Sequence, residues 1–144
     1  MKYVHIERKY MDDLAKYRKA FVIQALRRAS YRWPSRYKTQ AAARIERGKY
    51  KCNICGNIFP KKEMEMDHVL PVVPVEGFKQ PREDGWDWNE YVERMLPGDE
   101  GWSYICIPCH DKKSESENVV RRARRAKSNK KKTRKKVKKD DSGI

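Results

Sequence analysis

Four cysteines stand in two pairs, Cys52 and Cys55 in "CNICG" and Cys106 and Cys109 in "CIPCH", with 50 residues between Cys55 and Cys106. Thiolates three residues apart can bend around one ion within a single turn. Zinc prefers four tetrahedral ligands, so two such pairs predict one structural Zn2+ site. A redox dithiol would need only one pair. Gly56, behind the first pair, helps the chain turn there. Four thiolates close the zinc shell, so chemistry on a metal requires a second ion. Asp67 and His68, ahead of Pro71, and His110, directly behind Cys109, offer its ligands. A carboxylate and an imidazole can bind a divalent cation such as Mg2+ or Mn2+, and a second imidazole can act as general base; phosphodiester hydrolysis is the reaction that suits this set. Taken singly, each histidine has a plainer reading as a packed ring or a spare zinc ligand. In combination, the zinc clamp holds both ends of the motif near each other. Adjacent strand residues point to opposite faces. Asp67 and His68 can therefore serve one phosphate only at a strand end or on a twisted backbone.

The elements that must position these groups follow from periodicity. Ile6, Tyr10, Leu14, Tyr17 and Phe21 recur at three- and four-residue steps, predicting a helix from Ile6 to about Ser30 with that stripe as its packing face. Pro34 stops a helix by removing a backbone donor. A second helix is expected over "KTQAAARIER", stopped by Gly48. Met64, Met66, His68 and Leu70 alternate with Glu63, Glu65, Asp67 and Val69, the period of a strand. "WDWNEYVERML" should form a short helix with Trp88, Tyr91, Val92 and Met95 on one face. "WSYIC" reads as a strand that leads through the second knuckle into a last helix. The expected class is α+β, with a basic helical region over residues 1–49, a small zinc-stabilised domain over 50–119, and a basic tail over 120–144 that is disordered on its own.

Of 144 residues, 38% are hydrophobic and 38% charged, too polar for one large core. Residues 1–50 hold 14 Lys/Arg against 4 Asp/Glu, residues 51–119 hold 8 against 14, and residues 120–144 hold 13 against 2. Two basic arms thus flank an acidic centre within a net charge of +15. Such arms favour a polyanion, most often nucleic acid. Arg27, Arg28, Lys112, Arg121, Arg122, Arg124 and Arg125 are the candidate phosphate contacts. No apolar run reaches the roughly 20 residues of a membrane span. "MKYVHIERKYMDD" lacks the apolar stretch of a signal peptide, so a cytoplasmic protein is expected.

"MDHVLPV" and "CIPCHDKKS" resemble the HNH endonuclease family, whose fold is ββα-metal, and "GWDWNEYVERMLPGDEGWSYICIPCHDKK" is similar to small HNH endonucleases of tailed phages. The resemblance covers residues 50–114. It implies double-stranded DNA as substrate, and a host-cell cytoplasm if the chain is phage-encoded. It also implies His68 as general base, Asp67 and His110 holding a Mg2+-like ion, and Lys113 near phosphate. The family often carries Asn a few residues before the second knuckle, as in "NLQxLC"; here that position is Gly101, and the nearest asparagine, Asn89, lies in the expected short helix. A double-strand cut would need two active sites, as in a homodimer, or two successive nicks. A non-catalytic zinc ribbon binding DNA or RNA accounts for the cysteines and the arms equally well. It leaves Asp67, His68, His110 and Lys113 unexplained.

Overall fold

The computed structural model describes residues 2–141, with side-chain surroundings for residues 7–134. Helix α1 (Lys2–Ser30) runs to the residue the periodicity indicated, and its last turn is closed by Ser30 Oγ donating to the Arg27 carbonyl. Its packing face differs from expectation. Tyr10, Tyr17 and Phe21 are 65%, 69% and 64% exposed, whereas Ile23 and Leu26, on the opposite side, join the core; the side chain of Ile6 lies outside the described residues. Periodicity shows that a helix has an apolar face, not what covers it.

Helix α2 (Pro34–Ala43) begins at the proline itself, which suits a first helical position because its missing N–H would be unpaired there anyway. It ends before the expected segment does. Arg44–Glu46 is strand β1, and Gly48, with φ of 75°, turns the chain into β2 (Lys49–Lys51) rather than stopping a helix. Strand β3 (Ile58–Pro60) completes a three-stranded antiparallel sheet that carries the first knuckle between β2 and β3.

Strands β4 (Met64–His68) and β5 (Trp102–Cys106) pair antiparallel, with Met64 opposite Cys106, Asp67 opposite Ser103 and His68 opposite Trp102. Helix α3 (Trp88–Met95) lies between them in sequence, its N-terminus capped by Asp87, whose carboxylate accepts from the N–H groups of Asn89 and Glu90. Of its expected face, Trp88, Tyr91 and Met95 pack, while Val92 stays 39% exposed. Helix α4 (Ile107–Asp141) leaves β5 at the second knuckle. The stretch expected to be disordered continues this helix, because Lys, Arg and Ala are good helix formers and no Gly or Pro interrupts them before Gly143. Residues 142–144 lie outside the described residues.

Two small cores result among the described residues. One gathers Ala43, Tyr50, Cys52, Met64, Tyr104, Ile105 and Cys106; the other gathers Phe78, Tyr91 and Met95 with Ile23, Leu26, Trp86 and Trp88 around them. The class is small α+β with an N-terminal helix, short antiparallel strands and a four-cysteine cluster. Among the described residues no helix is long and apolar enough to cross a membrane.

Candidate functional site

The four cysteine sulfurs lie within 4.8 Å of one another. Tetrahedral ligands at about 2.3 Å from zinc sit roughly 3.8 Å apart, and Cys55 Sγ is 3.9 Å from Cys106 Sγ. The knuckle is shaped by backbone donors. The N–H groups of Ile54 and Cys106 each donate to Cys52 Sγ at 3.4 Å, and Gly56, again at φ 75°, turns back so that its N–H reaches the Cys52 carbonyl. Burial pushes the Cys52 thiol up, but the donors from Cys106, Cys55 and Ile54 outweigh it and bring the pKa down to about 6. Cys109 is pushed up to about 12, first by its hydrogen bond to Cys106 and then by burial. Four thiols this close cannot all ionise beside one another, and a dication is what lets them. The cluster therefore fits a structural metal ion such as zinc.

Strand β4 presents two faces, and the expected conflict between neighbours is resolved at its end. Glu65 and Asp67 face α4; Met64, Met66 and His68 face the interior. His68 is the last residue of the strand. Its ring lies on Trp102, its cross-strand partner, with centroids 4.1 Å apart. His68 Nε2 is 3.0 Å from the carbonyl of Met95, the last residue of α3. The last carbonyls of a helix have no partner within it, so the ring completes the helix end. A carbonyl only accepts, so Nε2 carries the proton and Nδ1 keeps a free lone pair. Burial lowers the pKa of His68, against the opposing pull of the Met95 carbonyl and Asp67. The ring is therefore held neutral.

Asp67 divides its oxygens between two helical partners one turn apart. Lys113 Nζ pairs with Oδ2 and also donates to the His68 carbonyl, while His110 Nε2 lies 3.9 Å from Oδ1. Lys113, expected near phosphate, is thus tied to the acid of the site, with Glu117 a further 3.4 Å partner. His110 Nδ1 sits 2.5 Å from Glu65 Oε2. A carboxylate only accepts, so in the neutral ring Nδ1 holds the proton and Nε2 turns its lone pair toward Asp67. Glu65, the Met95 carbonyl and Arg36, which lines the cleft beside His68, are groups that sequence reading missed. Glu65 had a signal: it shares the strand face of Asp67 two residues away. Met95 had none, since its contribution is a backbone atom brought by the fold.

Asp67 and His68 open on one cleft of about 610 Å³ that is also lined by Arg27, Arg36, Lys113, Arg121 and Arg125. Of the expected phosphate contacts, three thus reach it. Arg121 Nη2 donates to the Val73 carbonyl, and Arg124 lies against Gly77, where a Cβ would be 2.4 Å from its guanidinium. Arg28 and Lys112 are exposed elsewhere, and Arg122 pairs with Glu115 on the surface.

Gly101, at the position where an asparagine was the comparison, has a structural reason. A Cβ there would lie 2.2 Å from Pro97 Cβ, and the Gly101 carbonyl accepts from Val69 N–H at 2.9 Å just past the site. The Pro97 ring cannot swing aside. Gly101→Ala should therefore lower the melting temperature, by the equivalent of about 1–3 kcal/mol for overpacking; an unchanged melt would show that the 97–101 turn yields freely. No family model, curated protein or solved structure matches the chain, so what the site can do rests on its own side chains.

Proposed function

We propose that this chain is a metal-dependent DNA endonuclease of the HNH type, with a ββα-metal centre built from β4, β5 and α4 and a structural Zn2+ on Cys52, Cys55, Cys106 and Cys109. The observation that carries the reading is the shared cleft: the oriented His68 imidazole and the Asp67 carboxylate open among five cationic side chains, while His110 approaches Asp67 from α4, outside the cleft lining. A packed structural histidine would not need those surroundings.

Asp67 Oδ1 and His110 Nε2, 3.9 Å apart, fall within the span of two ligands at about 2.1 Å each from one Mg2+ or Mn2+ ion. A histidine that ligates a metal usually gives its other N–H to a carboxylate, and Glu65 is placed to accept it. Bound there, the ion would supply charge stabilisation at the scissile phosphate and its leaving oxygen. The chain does the rest. Arg27, Arg36, Arg121 and Arg125 attract and seat the phosphates. His68 Nδ1 takes the proton from the attacking water while Nε2–H stays on the Met95 carbonyl, so the ring cannot turn away. Water adds to phosphorus, the P–O3′ bond breaks, the departing O3′ takes a proton from solvent, and the products carry 5′-phosphate and 3′-hydroxyl ends. Titration with Mn2+ tests the ligand set. Asp67→Ala and His110→Ala should each lose binding and plasmid nicking while retaining zinc. Unaltered Mn2+ affinity in both would remove the metal from this place.

Because burial lowers the His68 pKa, its base form persists below the ordinary value of about 6.5. The rate at fixed metal saturation should hold as pH falls through that value and decline only beneath it. A decline centred at or above it would mean that another group titrates.

The remaining basic charge acts on affinity. Beyond Ala126, α4 carries Lys127, Lys130, Lys131, Lys132 and Arg134 and further lysines. Contacts from such a helix are to phosphate and add no sequence preference. Truncation after Ala126 spares the cleft arginines. It should weaken duplex binding, flatten log affinity against log salt by about 0.9 per lost phosphate contact, and leave the cleavage positions unchanged. Equal slopes would make the tail a solvated appendage.

A further inference from the structure

The outer face of α1 is apolar at heptad spacing. Tyr10, Leu14, Tyr17 and Phe21 are separated by four, three and four residues, as in the seam of a two-stranded helical pair. At 3.6 residues per turn, this seam lies on the side of α1 opposite Lys19, Ile23 and Leu26. Those three are the residues that α1 turns toward the domain: Ile23 and Leu26 enter the second core, and Lys19 Nζ stands 4.1 Å over the Trp86 ring. The helix is thus apolar on both sides while only one is covered. Three aromatic side chains about two-thirds exposed in a row are unusual for a surface that meets only water.

The charges beside the seam indicate what meets it. Asp13 borders it on one edge and Arg18 on the other, five residues on. In two parallel helices the residue at this first edge faces the residue five further along on the partner, so each Asp13 meets the other copy's Arg18, twice by symmetry. Among the described residues, Asp13 makes one salt bridge in the lone chain, an exposed 3.8 Å contact with Lys16. The four seam residues carry no charge, and the edges beside them offer one acid and one base, Asp13 and Arg18, a self-complementary pair that suits a second copy; the cation on the same face, Arg28, lies beyond the seam, seven residues past Phe21.

We infer that α1 is the surface through which two copies of this chain pair, side by side and parallel, along Tyr10, Leu14, Tyr17 and Phe21. Covering these side chains on both copies removes on the order of 10³ Å² from water, the lower edge of a specific interface. The helices are already held by their domains, so pairing has no helix to nucleate. The association should be reversible and in the micromolar range. Arg27 and Ser30, near the end of α1, line the cleft, so a parallel pair places both clefts at the same end. On the nuclease reading, two cutting sites would then face one duplex; the pairing itself does not depend on that reading.

Sedimentation velocity on the zinc-loaded full chain, over a concentration series at physiological salt, tests it without DNA. A monomer–dimer equilibrium is expected. Tyr17→Glu and Phe21→Glu should each weaken it by at least about tenfold, a usual loss at the centre of an interface. Helical circular dichroism and zinc content should be unchanged, since both side chains are exposed. Asp13→Arg and Arg18→Asp should each weaken pairing, and the two together should restore it. A monomer at every concentration overturns the proposal, as does a dimer indifferent to Tyr17→Glu and Phe21→Glu. Failure of the charge exchange to restore pairing overturns the parallel register, and the proposal with it.

Discussion

His68→Ala should lose turnover by about 10² to 10⁴ while still binding Mn2+ and duplex DNA. The division follows from the positions of the groups. Asp67 and His110 meet each other across β4 and α4, with Glu65 behind His110. His68 belongs to the other face of the strand, on Trp102 and under the end of α3. Removing the ring would therefore take away the proposed proton acceptor and leave the proposed ligand pair, Asp67 and His110, standing. It also removes a packed side chain and orphans the Met95 carbonyl, an expected loss of about 1–3 kcal/mol in stability. A variant that fails only through instability is told apart by His68→Gln, whose amide can donate to that carbonyl but cannot accept a proton from water. Both variants should be inactive. Turnover recovered in His68→Gln would make the ring's part purely structural.

Cys106→Ser, or removal of the metal by a strong chelator, should abolish cooperative melting. Cys52 and Cys106 are each 1% exposed and belong to the core that also holds Met64, Tyr104 and Ile105. Structural zinc sites are worth about 10–16 kcal/mol in small peptides, as much as or more than the 5–15 kcal/mol by which whole domains are stable. With cores this small, little remains once the clamp is lost. The loss should appear as collapsed tertiary signal and as proteolysis between residues 56 and 105, and adding back Zn2+ to the chelated wild type should restore it. A protein that purifies without metal and still melts in one sharp transition would contradict this.

What could be read ahead of the structure depended on whether one residue's chemistry or the path of the chain decided the outcome. The cysteine pairs were legible because thiolate spacing is local, and β4 because its alternation is local as well. Helix α2 was misplaced: Pro34 is both a stop for α1 and a start for α2, while "RIE" takes strand pairing from β2 that composition does not encode. The α1 stripe was read correctly as apolar and wrongly as inward-facing, since the sequence carries no sign of which neighbour a face meets. At the site, Asp67, His68 and His110 announced themselves as residue types. Their division between two faces of β4, the tie of Lys113 to Asp67, and the Met95 carbonyl depend on distances set by α3 and α4. The alignment that left Gly101 as a departure compared letters, where the turn demands the absence of a side chain.

The most direct measurement is single-turnover cleavage of an end-labelled duplex by zinc-loaded protein, with Mg2+ or Mn2+ added and with both withheld, run beside His68→Ala from the same preparation. The account predicts metal-dependent strand breaks bearing 5′-phosphate and 3′-hydroxyl ends in the wild type, and a rate at least about 10²-fold lower in the variant. Binding of the duplex with no breaks under any metal, or equal cleavage by both proteins, would contradict it and leave a zinc-stabilised nucleic-acid-binding protein in its place.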